Sequence, residues 1–131
     1  MRIYCTVTDE DREATAYVQD LVLRSHNDQT INVMFLDEWE DSINISGATV
    51  YFTIKNKPTD LDNVAIINKT FTSSTFPDAL SGEAAIILTK TETASLLGNY
   101  IYSIVIKLSD GTVKTASEGN ITFQREIRKT F

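Results

Sequence analysis

One cysteine, one histidine, one tryptophan and two prolines are all that the 131 residues contain of those types. A lone Cys5 excludes an intramolecular disulfide and a cysteine-based zinc site. The fold must therefore be held by its core, which a chain of this length can do, because it buries roughly two-thirds of its unfolded surface. Cys5 itself reads as a half-buried, unreactive thiol in a first strand or arm. His26 lies in the polar run Arg24-Ser25-His26-Asn27-Asp28-Gln29 between two apolar segments, and it reads as a solvated turn residue. A second imidazole for a metal site does not exist, and neither a Ser-His-Asp nor a Cys-His arrangement is apparent.

Long apolar runs are missing too. None approaches the length of a membrane span. The opening Met1-Arg2-Ile3-Tyr4-Cys5-Thr6 gives way at once to Asp9-Glu10-Asp11-Arg12-Glu13, which leaves no apolar stretch for a signal peptide. Synthesis in a cytoplasm is expected, and the sequons at Asn44, Asn68 and Asn120 then read as chance matches. Basic residues are outnumbered, twelve against eighteen, for a net charge of −6. Only Arg125, Arg128 and Lys129 cluster, too few to neutralise a phosphate backbone, so nucleic acid is not an expected partner.

What the sequence has is alternation. Tyr100, Tyr102, Ile104, Ile106 and Leu108 are apolar, with Ser103, Lys107 and Ser109 between them. Period two places the first set on one face of a strand. Ser109-Asp110-Gly111-Thr112 then turns the chain back as a hairpin. Ile121 and Phe123 resume the pattern after Gly119, which predicts a bulge there. Ala48, Val50, Phe52 and Ile54 alternate with Thr49, Tyr51, Thr53 and Lys55, and Ile31, Val33 and Phe35 repeat the theme. In Gln19–Arg24 either Leu21 and Leu23 or Val18 and Val22 face inward. Val64–Phe71 and Glu83–Thr89 complete about seven strands. Short strands at regular spacing predict an all-β, immunoglobulin-like antiparallel β-sandwich over residues 17–127. An N-terminal arm or short helix over 1–16 and a tail over 128–131 flank it. Thr8-x-x-Asp11 with Ala14, Tyr17, Val18 and Leu21 carries the helical alternative, and Thr91–Leu97 suggests one helical turn. Phe52, Ile54, Ile104 and Ile106 are the expected centre of the core.

Two acidic stretches, Asp37-Glu38-Trp39-Glu40-Asp41 and Asp60-Leu61-Asp62-Asn63, lack the glycine and later bidentate glutamate of a calcium loop and read as solvated turns. No phosphate-binding glycine loop is present. Trp39 admits two readings: a lid folded back on the core, which is favoured, or a partner contact of the kind tryptophan often makes.

The ordered turn motifs resemble a known family. Arg24-x-x-Asn27-Asp28-Gln29-Thr30 leading into Ile31–Leu36 is one, and Ile45-Ser46-Gly47-Ala48-Thr49-Val50-Tyr51-Phe52-Thr53-Ile54-Lys55 is the next. Gly82-Glu83-Ala84-Ala85-Ile86-Ile87-Leu88-Thr89 follows. Leu97-Gly98-Asn99-Tyr100-Ile101-Tyr102-Ser103-Ile104 and Asp110-Gly111-Thr112-Val113-Lys114-Thr115 complete the set. Together they resemble the N-terminal modules of phage baseplate upper proteins, across residues 20–127. Ser25-His26 departs from that pattern, where the family often has glycine. The sequence also ends at Phe131, without the long helical or fibre region of members that carry receptor-binding proteins.

The resemblance implies a structural virion protein of tail, baseplate, neck or head decoration, here as a stand-alone connector or decoration. Such a protein docks other virion proteins, self-associates, and needs no catalytic residue, cofactor, metal or small-molecule substrate. Expected partner contacts are Ile3 and Tyr4 at one end, Ile127 and Phe131 at the other, and Trp39. The alternative is a carbohydrate- or host-surface-binding sandwich module.

Overall fold

A computed structural model describes residues 2–6, 17–18, 20–37, 39–57 and 65–125. Its strands are β1 (Arg2–Thr6), β2 (Tyr17–Val18), β3 (Leu21–Arg24), β4 (Gln29–Leu36), β5 (Thr49–Lys55), β6 (Ile67–Thr72), β7 (Glu83–Leu88), β8 (Gly98–Lys107) and β9 (Val113–Gln124), with a one-turn helix α1 (Lys90–Thr93) before β8. The alternation counted in the sequence is the alternation of burial. Ile31, Val33 and Phe35 of β4 point inward, as do Val50, Phe52 and Ile54 of β5 and Tyr102, Ile104 and Ile106 of β8. Leu21 and Leu23 are the buried pair of β3, while Val22 is exposed.

The strands form an all-β sandwich. One sheet has the order β1-β4-β7. The other runs β2-β9-β8-β5-β6, with β3 also pairing β9. Their inner faces close on a single core in which Phe35, Ile31 and Ile86 from the first sheet meet Phe52, Ile104, Ile106, Ile121 and Phe123 from the second. No helix among the described residues is long and apolar enough to cross a membrane.

Four expectations are corrected. First, Arg2–Thr6 is not an arm outside the strands. It pairs parallel with β4 from Arg2 opposite Asn32 to Thr6 opposite Leu36, because Ile3 and Cys5 are apolar at alternate positions and enter the core. Second, Tyr17, Val18 and Leu21 lie in strands rather than a helix. β2 and β3 together line the edge of β9, from Tyr17 opposite Ser117 to Arg24 opposite Gln124. Asp20 sits at the break between them, where its carboxylate accepts from the Asn120 backbone N–H at 3.3 Å. Thr8, Asp11 and Ala14 lie outside the described residues. Third, the bulge falls at Ala116, not Gly119. Ile104 faces Ser117 while Val105 faces Thr115, so the intervening Ala116 and its neighbour Ser117 are both buried. Gly119 stays in register opposite Tyr102. Fourth, nine strands are present among the described residues rather than seven, and the pairing is mixed. β1 runs parallel to β4, and β2 and β3 run parallel to β9, while the other pairs are antiparallel.

The expected helical turn forms as α1. Thr89 and Glu92 make a reciprocal capping box there, with the Glu92 N–H donating to Thr89 Oγ1 at 3.2 Å and the Thr89 N–H to Glu92 Oε1 at 3.0 Å. Two bonds dock α1 on the β3–β4 turn: the Lys90 N–H to Asp28 Oδ1 at 2.7 Å, and Thr93 Oγ1 to the Asn27 carbonyl at 3.0 Å.

Candidate docking surfaces

The acidic loop around Trp39 is built by one carboxylate. Leu36 and Ser42 pair across its base. Asp37 Oδ1 accepts from the backbone N–H groups of both Trp39 and Asp41, at 2.9 Å each. The Asp37 N–H donates to the Asp41 carbonyl at 2.8 Å, and Glu40 turns through a positive φ of 65°. These bonds fix the loop without help from the core. They also hold Trp39 outward, with 74% of its surface exposed. The lid reading is therefore overturned: the local hydrogen bonds use the backbone that would have to bend for the indole to fold back.

A second apolar residue stands at the same end of the sandwich. Leu80 is 72% exposed, in a 3-10 turn over Ala79–Ser81 that Asp78 caps through the Ser81 N–H. The two turns share neighbours. The Phe35 N–H donates to the Gly82 carbonyl at 2.8 Å, and the Ile45 N–H to that of Ala79 at 2.9 Å. A Cβ on Gly82 would meet the carbonyl oxygens of Phe35 and Ile43 at 2.6 and 2.7 Å, so only glycine allows this approach. Sequence reasoning missed Leu80. Its one signal was a large apolar residue in the short connector Asp78-Ala79-Leu80-Ser81-Gly82.

The other expected contacts divide. Ile3 is 4% exposed and belongs to the core, so it offers nothing to a partner; this corrects its assignment. Tyr4, the next residue in the strand, faces outward and is half-exposed. Ile127 and Phe131 lie outside the described residues, as do residues 58–64 with the second acidic stretch.

Both candidate reactive side chains are at least partly withdrawn from solvent. His26 is half-buried in the turn after β3, with a φ of 61°. Cys5 is fully buried, and burial pushes its thiol up to about 12 despite a hydrogen bond with Ser117. The Ser117 hydroxyl also bonds Tyr102 Oη at 3.0 Å. Burial raises that phenol to about 12 as well, with the Ser117 bond opposing. This trio ties β1 of one sheet to β8 and β9 of the other. Among the described residues, no group of three His, Cys, Asp or Glu side chains is placed to hold a metal ion.

The outer face of the larger sheet carries a shallow groove of about 590 Å³. Tyr51, Thr53 and Lys55 of β5, Thr70 of β6 and Ser103 and Lys107 of β8 line it. Among the described residues none that lines it is acidic, although Glu118 borders a smaller adjoining recess. This groove was also not anticipated, because it comes from side chains of four strands, β5, β6, β8 and β9, brought together by register.

No protein-family model matches the sequence, and no curated protein matches it. A solved structure does. The N-terminal domain of phage TP901-1 ORF48 superposes with a TM-score of 0.50, covering 94% of this chain and 98% of its own at 13% identity. At that identity the likeness is one of fold.

The described surface thus has two features that could recognise another macromolecule. One is a rigid acidic turn presenting an indole, and the other is a lysine-bearing groove.

Proposed function

We propose that this domain is a structural component of a bacteriophage virion, a non-catalytic immunoglobulin-like module that docks other virion proteins. The observation that carries the reading is the correspondence of fold, almost end to end in both chains, with the N-terminal domain of a phage protein. The ordered turn motifs from Arg24 to Thr115 point the same way.

The immunoglobulin-like part has support in the strand order. β4 and β7 neighbour each other in one sheet while β9, β8 and β5 follow in the other, as strands B and E and strands G, F and C do in that fold. Tyr100, near the start of β8, also returns its hydroxyl to the backbone of Leu97, bonding both its N–H and carbonyl at 3.2 Å. That is the geometry of a tyrosine corner. Trp39, in a turn that needs no partner to hold its shape, is the contact the reading favours, because exposed tryptophan on a rigid support gives area at little entropic cost.

Quantitative mass spectrometry of purified particles tests this. A fixed copy number per particle is expected, and absence from particles made in the same lysate overturns it. A sugar-binding reading has one observation in its favour, the Tyr51 ring among hydroxyl-bearing side chains in the groove. Titrating the protein with host-surface glycans, read by backbone amide shifts of Tyr51, Thr53 and Ser103, separates the two.

A further inference from the structure

We propose that β6, the outer strand of the six-stranded sheet, pairs antiparallel with β6 of a second copy across a two-fold axis, joining the two sheets into one. This goes beyond the docking reading and does not rest on it.

The backbone shows which groups are on offer. The Ile54 carbonyl accepts from the Ile66 N–H at 2.8 Å, so Ile54 turns its backbone toward β6. By the alternation of a strand, Phe52 and Val50 do the same, opposite Lys69 and Phe71. Asn68, Thr70 and Thr72 therefore turn their N–H and C=O groups to the outside. All three residues are exposed, and no strand among the described residues pairs with that side. The Thr72 carbonyl accepts from Thr75 Oγ1 at 2.8 Å and keeps its second lone pair.

The edge of β7 is different. Lys69 Nζ takes its Ile87 carbonyl at 2.7 Å, and the Asp78 carbonyl takes its Glu83 N–H at 2.8 Å. Natural edges are blunted by charge, proline or a covering segment. β6 holds no proline, and its one charged side chain, Lys69, reaches across to Ile87 and Glu92.

Self-complementarity chooses the occupant. Centring the pairing on Thr70 sets Thr70 opposite Thr70, Asn68 opposite Thr72 and Lys69 opposite Phe71. Uncharged side chains then meet on the outer face, where threonine pairs are favourable. Centring on Lys69 would set one ammonium opposite another. Centring on Phe71 would set Lys69 against Ser73, already in the 3-10 turn Ser73–Thr75 that follows β6, and so shorten the pairing. The Thr70 register uses the length of the strand without opposing like charges. In a chain of net charge −6, two copies repel over much of their surface, yet residues 65–77, which include β6 and the turn after it, contain no carboxylate.

Sedimentation velocity of the full-length chain over a wide concentration range tests this. Mass should rise to that of a dimer and stop there, because a two-fold contact closes. Thr70→Lys and Thr70→Glu each set like charges across the axis and should weaken association by roughly 10-fold. An equimolar mixture of the two should restore it at low salt, as a dimer of one copy of each. Thr70 is exposed, so circular dichroism should show both variants folded.

Cross-linking reads the register without relying on charge. Opposed residues of such a pair lie about 5.5 Å apart at Cα, within disulfide reach. Thr70→Cys should therefore form a covalent dimer under mild oxidation, and Asn68→Cys should not. Cys5 is buried and does not compete. A wild type that stays monomeric, a dimer that both charged variants leave intact, a mixture no better than its components, or Asn68→Cys cross-linking in place of Thr70→Cys overturns the proposal.

Discussion

Lys69, on the outer strand of the six-stranded sheet, donates from Nζ to the Ile87 carbonyl on the outer strand of the three-stranded sheet at 2.7 Å. The same ammonium pairs with Glu92 Oε1 at 2.8 Å and lies 5.6 Å from the centre of the Phe71 ring. Edges of a sandwich are places where strands of other chains can add, and a lysine is a common guard. Here it also ties the two sheets together beside α1.

Lys69→Met should cost about 1–2 kcal/mol in urea unfolding, since it removes one charged donor shared by two acceptors. Glu92 adds a pH dependence. Burial pushes its carboxyl up, but bonds from Lys69 and Thr89 outweigh this and leave it below the ordinary glutamate range. A carboxyl lowered in the folded state stabilises above its unfolded pKa, and that stability is lost as pH falls. The acid limb of stability should therefore be shallower in Glu92→Gln. A residual slope remains from Asp110, which is also held low by the Thr112 backbone N–H at 2.8 Å.

Gly82 and Gly111 both adopt positive φ, 77° and 93°. A Cβ would strike two carbonyl oxygens at Gly82, whereas at Gly111 it meets nothing within 4 Å. Gly111→Ala should cost about 1 kcal/mol of backbone strain. Gly82→Ala should cost at least about 3 kcal/mol, because the turn carrying Leu80 must also move off β4. Equal losses in denaturant melts would contradict the packing described at that turn.

Cys5 should react with a disulfide reagent only when the protein unfolds, so labelling should follow the global unfolding curve. Its thiol and the Tyr102 phenol are both raised in the folded state, each to about 12. Raised acids stabilise below their unfolded values, and the contribution disappears as pH climbs toward the folded ones. Stability should thus fall from about pH 9 upward, and less steeply in Tyr102→Phe. Rapid labelling of the native protein at neutral pH would mean that β1 does not hold its place.

Phe52 shows how much of the fold could be read beforehand. Its alternation with Thr53 and Tyr51 fixed its face, and it is fully buried with its ring 6.2 Å from that of Tyr102. Phe52→Ala should cost about 3–5 kcal/mol by equilibrium unfolding. Where both alternating sets were apolar, as with Leu21 and Leu23 against Val18 and Val22, period two could not choose. β1 was left open between a strand and an arm because Tyr4 between Ile3 and Cys5 blurs the polar alternation, and its parallel pairing leaves no hairpin turn as a signal. Tyr17, Val18 and Leu21 also fit a helical spacing, which the edge of β9 overrode. The exposure of Trp39 depended on two hydrogen bonds to Asp37, and a carboxylate two residues before a tryptophan does not announce them.

The most direct measurement counts copies of this chain in purified virions from phage encoding the wild type and from phage encoding Trp39→Ala. The isolated variant should keep its unfolding midpoint within about 0.5 kcal/mol, since the side chain is 74% exposed. Wild-type particles should carry a fixed number of copies, and Trp39→Ala particles markedly fewer. Wild-type particles without the chain, or variant particles with an undiminished count, would contradict a virion module that docks through this turn.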